Sequence, residues 1–123
     1  MDTVIDGYQW LDNQVGWTRS QVTAYWPASN ANDAYSTGDA FYIGSNYQFS
    51  RPTILHEYAH CIHYEANGGS FPPGSGPSPH YMDSESSGGF ALTEGWAEFF
   101  PCAVDNTPNC PWGGSLESTV YAD

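Results

Sequence analysis

Residues 50–69 read SRPTILHEYAHCIHYEANGG, and this stretch decides the fold because it predicts one long helix with two different faces. Ser50 is a candidate N-cap, and Pro52 stands in the first turn, where a missing N–H costs nothing. The Asn-Gly-Gly sequence at 67–69 predicts the end of the helix near Ala66. The apolar face consists of Ile54, Leu55, Tyr58, Cys61 and Ile62.

The other face of this helix carries an H-E-x-x-H motif, formed by His56, Glu57 and His60. Residues four apart lie one above the other on a helix, so His56 and His60 can bind the same metal ion. Glu57 is poorly placed as a ligand, because it lies roughly 100° round the helix from His56, but it can reach a water on the metal. Two imidazoles and an open coordination position indicate a catalytic zinc site with Glu57 as general base.

A catalytic zinc ion needs a third protein ligand, and two carboxylates on a later predicted helix are candidates. Glu94 and Glu98 are four residues apart, so one can bind the metal while the other orients a histidine. His80 is an alternative third ligand, but it lies among prolines and serines without helical context. His63 is about 10 Å along the helix from His56, too far to share its metal, and we expect it to line a cleft or face solvent.

The two motifs together resemble those of the gluzincins, the zinc peptidases related to thermolysin and to the zinc aminopeptidases. The sequence Thr93-Glu94-Gly95-Trp96-Ala97 is similar to the N-E-G-[FW]-[AT] segment of the aminopeptidase branch, in which the glutamate binds zinc. The resemblance, which covers about residues 1–104, implies that Glu94 is the third zinc ligand. It also implies that Glu98 supports a zinc-binding histidine.

The resemblance further implies an α+β fold, a zincin-like minimal catalytic core with a small mixed sheet, a backing helix, an active-site helix and a glutamate helix. Residues 1–123 would form this single domain. In such a core, the strand before the histidine helix often lines the cleft and pairs with an extended substrate. This role would fall to residues 39–44.

Gluzincins usually supply a tyrosine or histidine from beyond the glutamate helix to stabilise the oxyanion. Tyr121 is the candidate for this catalytic role, and Tyr81, His80 or a further C-terminal subdomain are the alternatives. The loop at 68–89 is longer than its counterpart in thermolysin and could cover the cleft.

Local patterns predict the remaining elements of the chain. They are a helix over 4–15 that stops at Gly16, a strand over 18–26 ended by Pro27, a loop over 28–36, a strand over 39–44, a loop over 68–89, a helix from Phe90 or Ala91 to Phe100 ended by Pro101, and a short helix near 116–121.

The composition excludes several classes of partner. The chain has 123 residues, contains no lysine and only two arginines, and has a formal net charge of −12. Nucleic acids and anionic membranes bind clustered cations, so neither is an expected partner. No apolar stretch is long enough for a transmembrane helix, and the N-terminus lacks the features of a signal peptide. We therefore expect the chain to be either a mature domain with an added Met or an excised segment of a longer protein.

The cysteines point to an oxidising compartment. Cys102 and Cys110 bracket a short Asn/Pro-rich loop and are predicted to form a disulfide, whereas Cys61 is predicted to be a buried small hydrophobe. The same features, with the scarcity of basic residues, favour secretion.

These observations predict a secreted, monomeric zinc metallopeptidase, an endopeptidase that hydrolyses peptide or protein substrates. A zinc aminopeptidase is one alternative, although no anchor for a free amine is recognisable. A catalytically silent zinc-binding domain of a larger protein is the other.

Overall fold

The computed structural model describes residues 2–71, 88–107, 109–110 and 114–115, and it confirms an α+β architecture. A three-stranded mixed sheet packs with three helices. Among the described residues, no helix has both the length and the apolar character that crossing a membrane requires. The elements are α1 (Asp2–Val15), β1 (Thr23–Tyr25), β2 (Ala34–Ser36), β3 (Ala40–Ile43), a 3-10 helix (Ser45–Tyr47), α2 (Arg51–Ala66), α3 (Gly88–Val104), β4 (Asn109–Cys110) and β5 (Gly114–Ser115).

β3 is the central strand of the larger sheet. It pairs with β1 in parallel and with β2 in antiparallel orientation, so that the strand order is β1-β3-β2. The predicted strand over 39–44 is thus confirmed as an element, but its predicted pairing with substrate is wrong. Both of its edges already hold sheet partners, and the free edges of this sheet belong to β1 and β2.

Two sequence predictions next to β3 need correction. Only residues 23–25 of the predicted strand 18–26 pair in the sheet, and Arg19, within the predicted strand, is instead buried with its Nε donating to the Cys61 carbonyl. The predicted loop 28–36 ends in β2, whose three residues are too few to show an alternating pattern. Tyr35 of β2 stacks on Tyr42 of β3, with ring centroids 4.6 Å apart.

The core forms where α2 packs against the sheet on one side and against α1 and α3 on the other. The glycine inside α1 is explained by this packing. A Cβ atom at Gly7 would lie 3.0 Å from Leu55 Cδ2 and 3.2 Å from Phe100 Cε2, so α1 approaches both helices closely at this point. The buried apolar residues are Leu11, Phe41, Ile43, Ile54, Leu55, Tyr58, Ala59, Cys61, Ile62, Ala97 and Phe100.

The predicted ends of α1 and α2 are confirmed. Gly16 has a φ of +76°, and its N–H donates to the carbonyl of Asp12 at 3.0 Å, which closes α1. Asn67 ends α2 and is followed by two glycines with positive φ. Ser50 occupies the N-cap position of α2, but its hydroxyl bonds to the Thr53 hydroxyl at 2.7 Å and caps no backbone N–H.

Pro101 does not terminate α3, contrary to prediction, because the helix continues to Val104. A proline in a helix loses one backbone hydrogen bond, and here its fully buried ring offsets that loss by packing in the core. The carbonyl of Pro101 accepts the Asp105 N–H at 3.1 Å and so extends the last turn.

The cysteine predictions differ in outcome. Cys61 is fully buried, as expected. Cys102 is also buried, but the side chain of Cys110 lies outside the described residues, so the disulfide stays a prediction. The short helix expected near 116–121 lies outside them as well.

Arg19 joins α2 to the turn between β2 and β3. Its Nε donates to the Cys61 carbonyl at 2.7 Å, and its Nη2 donates to the Gly38 carbonyl at 2.8 Å. The guanidinium also pairs with Asp39 at 3.2 Å and with Glu65 at 3.4 Å. Arg19 is only 5% exposed, so burial removes most of the water from its guanidinium. The four contacts take the place of the hydrogen bonds to that water.

We expect Arg19→Gln to lower the free energy of unfolding by about 3 kcal/mol, since it leaves buried carbonyls without their donors. Arg51→Gln is the matched control, because Arg51 forms ion pairs with Asp6 and Asp105 near the surface, and we expect a loss of at most about 1 kcal/mol. Urea denaturation followed by circular dichroism measures both values. Equal losses would contradict the anchoring role of Arg19.

Candidate metal centre

The histidine face of α2 is turned towards α3. Trp96 fixes this arrangement, because its indole N–H donates to the carbonyl of Ala59 at 2.8 Å. Ala59 lies inside the H-E-x-x-H motif, so the bond attaches α3 directly beside His60. Ala97 is fully buried and lets the two helices approach. The sequence did not predict this bond, although an indole N–H that is removed from water generally needs an acceptor.

The structure brings together the two predicted histidine ligands and the predicted carboxylate ligand. Nε2 of His56 lies 3.5 Å from Oε1 of Glu94, and Nε2 of His60 lies 3.3 Å from Oε2 of the same residue. Two donors bound to one tetrahedral zinc ion at 2.0–2.1 Å are separated by roughly 3.3 Å. Both the types of donor and their separations therefore fit a zinc ion.

Glu57 is close to the same centre. The ligand-capable atoms of His56, Glu57 and His60 all lie within 4.8 Å of one another, and Glu57 is buried. Proximity alone would allow either glutamate as the third ligand. Glu94 fits that position better, because each of its oxygens faces the Nε2 of a different histidine. With Glu94 as the third ligand, Glu57 lies next to the centre without being one of its ligands.

The charges around His56 favour a cation. Burial alone would lower the pKa of His56, but the hydrogen bond to Glu94 and the nearby negative charges outweigh it and raise this pKa. Burial would raise the pKa of Glu94, but its bonds to His56 and His60 hold this pKa well below its usual range. Glu94 is therefore an ionised carboxylate. It can accept a hydrogen bond from a protonated imidazole or coordinate a metal ion.

Glu98, four residues after Glu94 on α3, is buried. Its negative charge also raises the pKa of His56, which places it in the electrostatic environment of the centre. Its backbone carbonyl accepts a hydrogen bond from Cys102 Sγ at 3.7 Å. Support of a zinc-binding histidine by the Glu98 side chain stays a prediction.

An aromatic residue that the sequence did not single out borders the centre. The ring of Phe71 lies edge-on to His60 and His63, with centroid distances of 6.1 Å and 6.2 Å. His63 is half-buried, and burial lowers its pKa. The expectation that His63 lines a cleft or faces solvent stays a prediction. The only sequence signal for Phe71 was an aromatic residue two positions after the glycines that end α2.

The structure does not describe the candidates for oxyanion stabilisation. Tyr121, Tyr81 and His80 lie outside the described residues. Their roles, and the catalytic role of Glu57, stay predictions.

Comparison with known proteins identifies the family. The family model that describes the Mycolysin C-terminal domain matches residues 6–120, nearly the whole chain. Domains of this family are found in mycolysin-type zinc metallopeptidases. No curated protein and no solved structure matches the chain. The match itself does not identify the domain as a catalytic core. It does establish that this chain belongs to the Mycolysin C-terminal domain family.

Proposed function

We propose that this domain binds one zinc ion through His56, His60 and Glu94, and that it is the zinc-binding part of a mycolysin-type metallopeptidase. The observation that carries the proposal is that Glu94 contacts both imidazoles, with one oxygen 3.5 Å from His56 Nε2 and the other 3.3 Å from His60 Nε2, close to the roughly 3.3 Å between two ligands of a tetrahedral ion. Imidazole and carboxylate donors suit zinc.

Family membership supports the proposal that this domain is part of a mycolysin-type metallopeptidase. Because the family is defined by a C-terminal domain, it favours a domain that works as one part of a larger peptidase. In this form of the proposal, the isolated domain binds zinc but does not cleave peptides. Secretion and a monomeric state remain parts of the proposal, since no structural observation bears on them.

A second candidate function is peptide hydrolysis by this same centre, and the position of Glu57 favours it. Zinc, when bound, supplies a Lewis acid for the scissile carbonyl and lowers the pKa of a coordinated water towards about 7. Three protein ligands leave a position open, as in catalytic zinc sites. Glu57, buried beside His56 and His60, would accept the proton of the attacking water and deliver it to the leaving amine.

The ligand assignment predicts how zinc content responds to substitution. We expect wild type to bind one zinc ion, and Glu94→Ala to lose at least about 100-fold in affinity, because it removes a direct ligand. Glu57→Gln should retain zinc within about threefold, since Glu57 is not a ligand. Competition with a chromophoric chelator measures these affinities, and circular dichroism checks that each variant folds. Loss of zinc in Glu57→Gln, with retention in Glu94→Ala, would reverse the assignment.

The raised pKa of His56 predicts acid release of zinc. Protons compete with the metal for the imidazole, so apparent affinity is highest above the pKa of His56 and falls as the pH drops through it. Because this pKa is raised, the fall should begin above about 6.5, the value for an ordinary imidazole. Chelator competition between about pH 5.5 and 8.5 tests this. An affinity that stays flat across the range is the contrary result.

Hydrolysis is tested with an unbiased peptide pool and mass spectrometry. If the centre is catalytic by itself, the zinc-loaded chain cleaves the pool, and Glu57→Gln reduces the rate by at least about 100-fold with zinc still bound. If the domain is silent by itself, neither protein cleaves any peptide. Full cleavage by Glu57→Gln would exclude Glu57 as the general base.

A further inference from the structure

An open groove of about 610 Å³ runs between α1 and β1, and none of the described residues that line it is a proposed zinc ligand. Val4, Ile5 and Tyr8 of α1 form one wall, and Ile5 and Tyr8 are 49% and 41% exposed. Val22 and Ala24 line the groove on the side of β1. α1 thus leaves apolar side chains exposed beside the edge at which the sheet ends.

The backbone of β1 directs hydrogen-bonding groups towards this free edge. β1 and β3 are parallel, with Thr23 opposite Ala40 and Ala24 opposite Phe41. The N–H of Thr23 donates to the carbonyl of Asp39 at 3.3 Å, so Thr23 directs its backbone groups towards β3. Because backbone groups alternate in direction along a strand, the N–H and C=O of Ala24 point away from β3. Such an edge is a template for one more strand.

A buried tyrosine contributes a polar group to the same groove. Tyr58 lines the groove, although only 3% of the residue is exposed. Its ring packs against Phe41 and Phe100, whereas its hydroxyl has no hydrogen-bond partner among the described residues. A phenolic hydroxyl can both donate and accept, so a ligand in the groove can form a hydrogen bond here that the protein itself does not form.

The charges of the groove select an uncharged occupant. Among the described residues that line it, Arg19 is the only charged one. Its guanidinium already pairs with Asp39 at 3.2 Å and with Glu65 at 3.4 Å. A charged ligand would therefore lose water without gaining a partner of opposite charge. Apolar walls and a strand edge together fit the side chains and the backbone of an extended polypeptide.

We propose that the groove binds an extended, apolar and uncharged polypeptide segment, which adds one strand to the three-stranded sheet at β1. Paired strands lie about 4.8 Å apart, so the added strand fills the space between β1 and α1. Its backbone bonds to Ala24, its apolar side chains pack against Ile5 and Tyr8, and it supplies a partner for the Tyr58 hydroxyl. This binding site is separate from the proposed zinc site and needs no metal.

The opposing explanation is that β1 is merely a short edge strand, which is a common protection against association. The two explanations differ in whether a peptide binds through its backbone. The probe is a labelled, end-capped peptide of about six residues, the usual length of a strand, in which valine alternates with threonine. Fluorescence anisotropy measures its binding to the whole chain. Replacing the valines by serine should weaken binding at least about tenfold, because the groove walls are apolar.

Backbone methylation of the same peptide tests strand pairing. Alternate residues of an added strand direct their N–H groups towards β1 and away from it. N-methylation of one alternate set should therefore weaken binding at least about tenfold, and methylation of the other set should leave it within about threefold. Equal binding of the two methylated peptides, or no binding of the unmodified peptide, overturns the inference.

Two variants test the protein side of the contact. Ala24→Pro removes the N–H at the free edge, where proline is tolerated, and should weaken binding at least about tenfold. Ala24→Ser keeps this N–H and should bind within about twofold of wild type. Tyr58→Phe keeps the buried ring, removes only the hydroxyl and should weaken binding about threefold to tenfold. Circular dichroism checks the folding of each, and Tyr58→Phe decides the matter if Ala24→Pro does not fold.

Unchanged binding in a folded Ala24→Pro, or in Tyr58→Phe if that variant decides, overturns the inference. Sedimentation velocity without peptide tests the other occupant, a second copy of the chain. A dimer that Ala24→Pro abolishes would show that a second copy occupies the edge, which also overturns the inference. Zinc content is measured in parallel and should stay within about twofold in Ala24→Pro, because the groove contains no ligand of the metal. Failure of this inference therefore leaves the proposed function standing.

Discussion

The packing of α3 on α2 is the contact on which the candidate centre depends. The bond from the Trp96 indole to the Ala59 carbonyl fixes the position of one helix relative to the other. Buried Ala97 and Phe100 fix their separation. Only in this position does one carboxylate, that of Glu94, reach both imidazoles. α1 packs against both helices. It approaches them so closely at Gly7 that a larger residue there would crowd Leu55 and Phe100.

The sequence predicted those parts of the centre that follow from helical spacing. His56 and His60 are one turn apart, and so are Glu94 and Glu98, which fixes what each helix presents without any knowledge of the sheet. That Glu94 faces the histidines depends on how the helices pack. Its assignment as the third ligand therefore came from resemblance to the gluzincins, and the structure brings Glu94 into contact with both imidazoles.

The failures of prediction have one physical cause, which is that long-range contacts override local preference. The three residues of β2 have too little pattern to identify a strand, and they become one by pairing with β3. The central position of β3 follows from strand order, which no local signal encodes. Pro101 continues a helix because the core receives its ring. Arg19 was predicted as part of a strand over 18–26, yet it is the buried link between α2 and the turn that joins β2 to β3.

The central claim is that α2 and α3 jointly hold one zinc ion, and X-ray absorption at the zinc K-edge tests it most directly. The zinc-loaded chain should show four nitrogen or oxygen neighbours at about 2.0 Å, with the outer-shell scattering of two imidazoles. Glu94→Ala should keep the imidazole signal but lose affinity and change the first shell. A spectrum with other than two imidazoles, or one that Glu94→Ala leaves unchanged, would contradict the account.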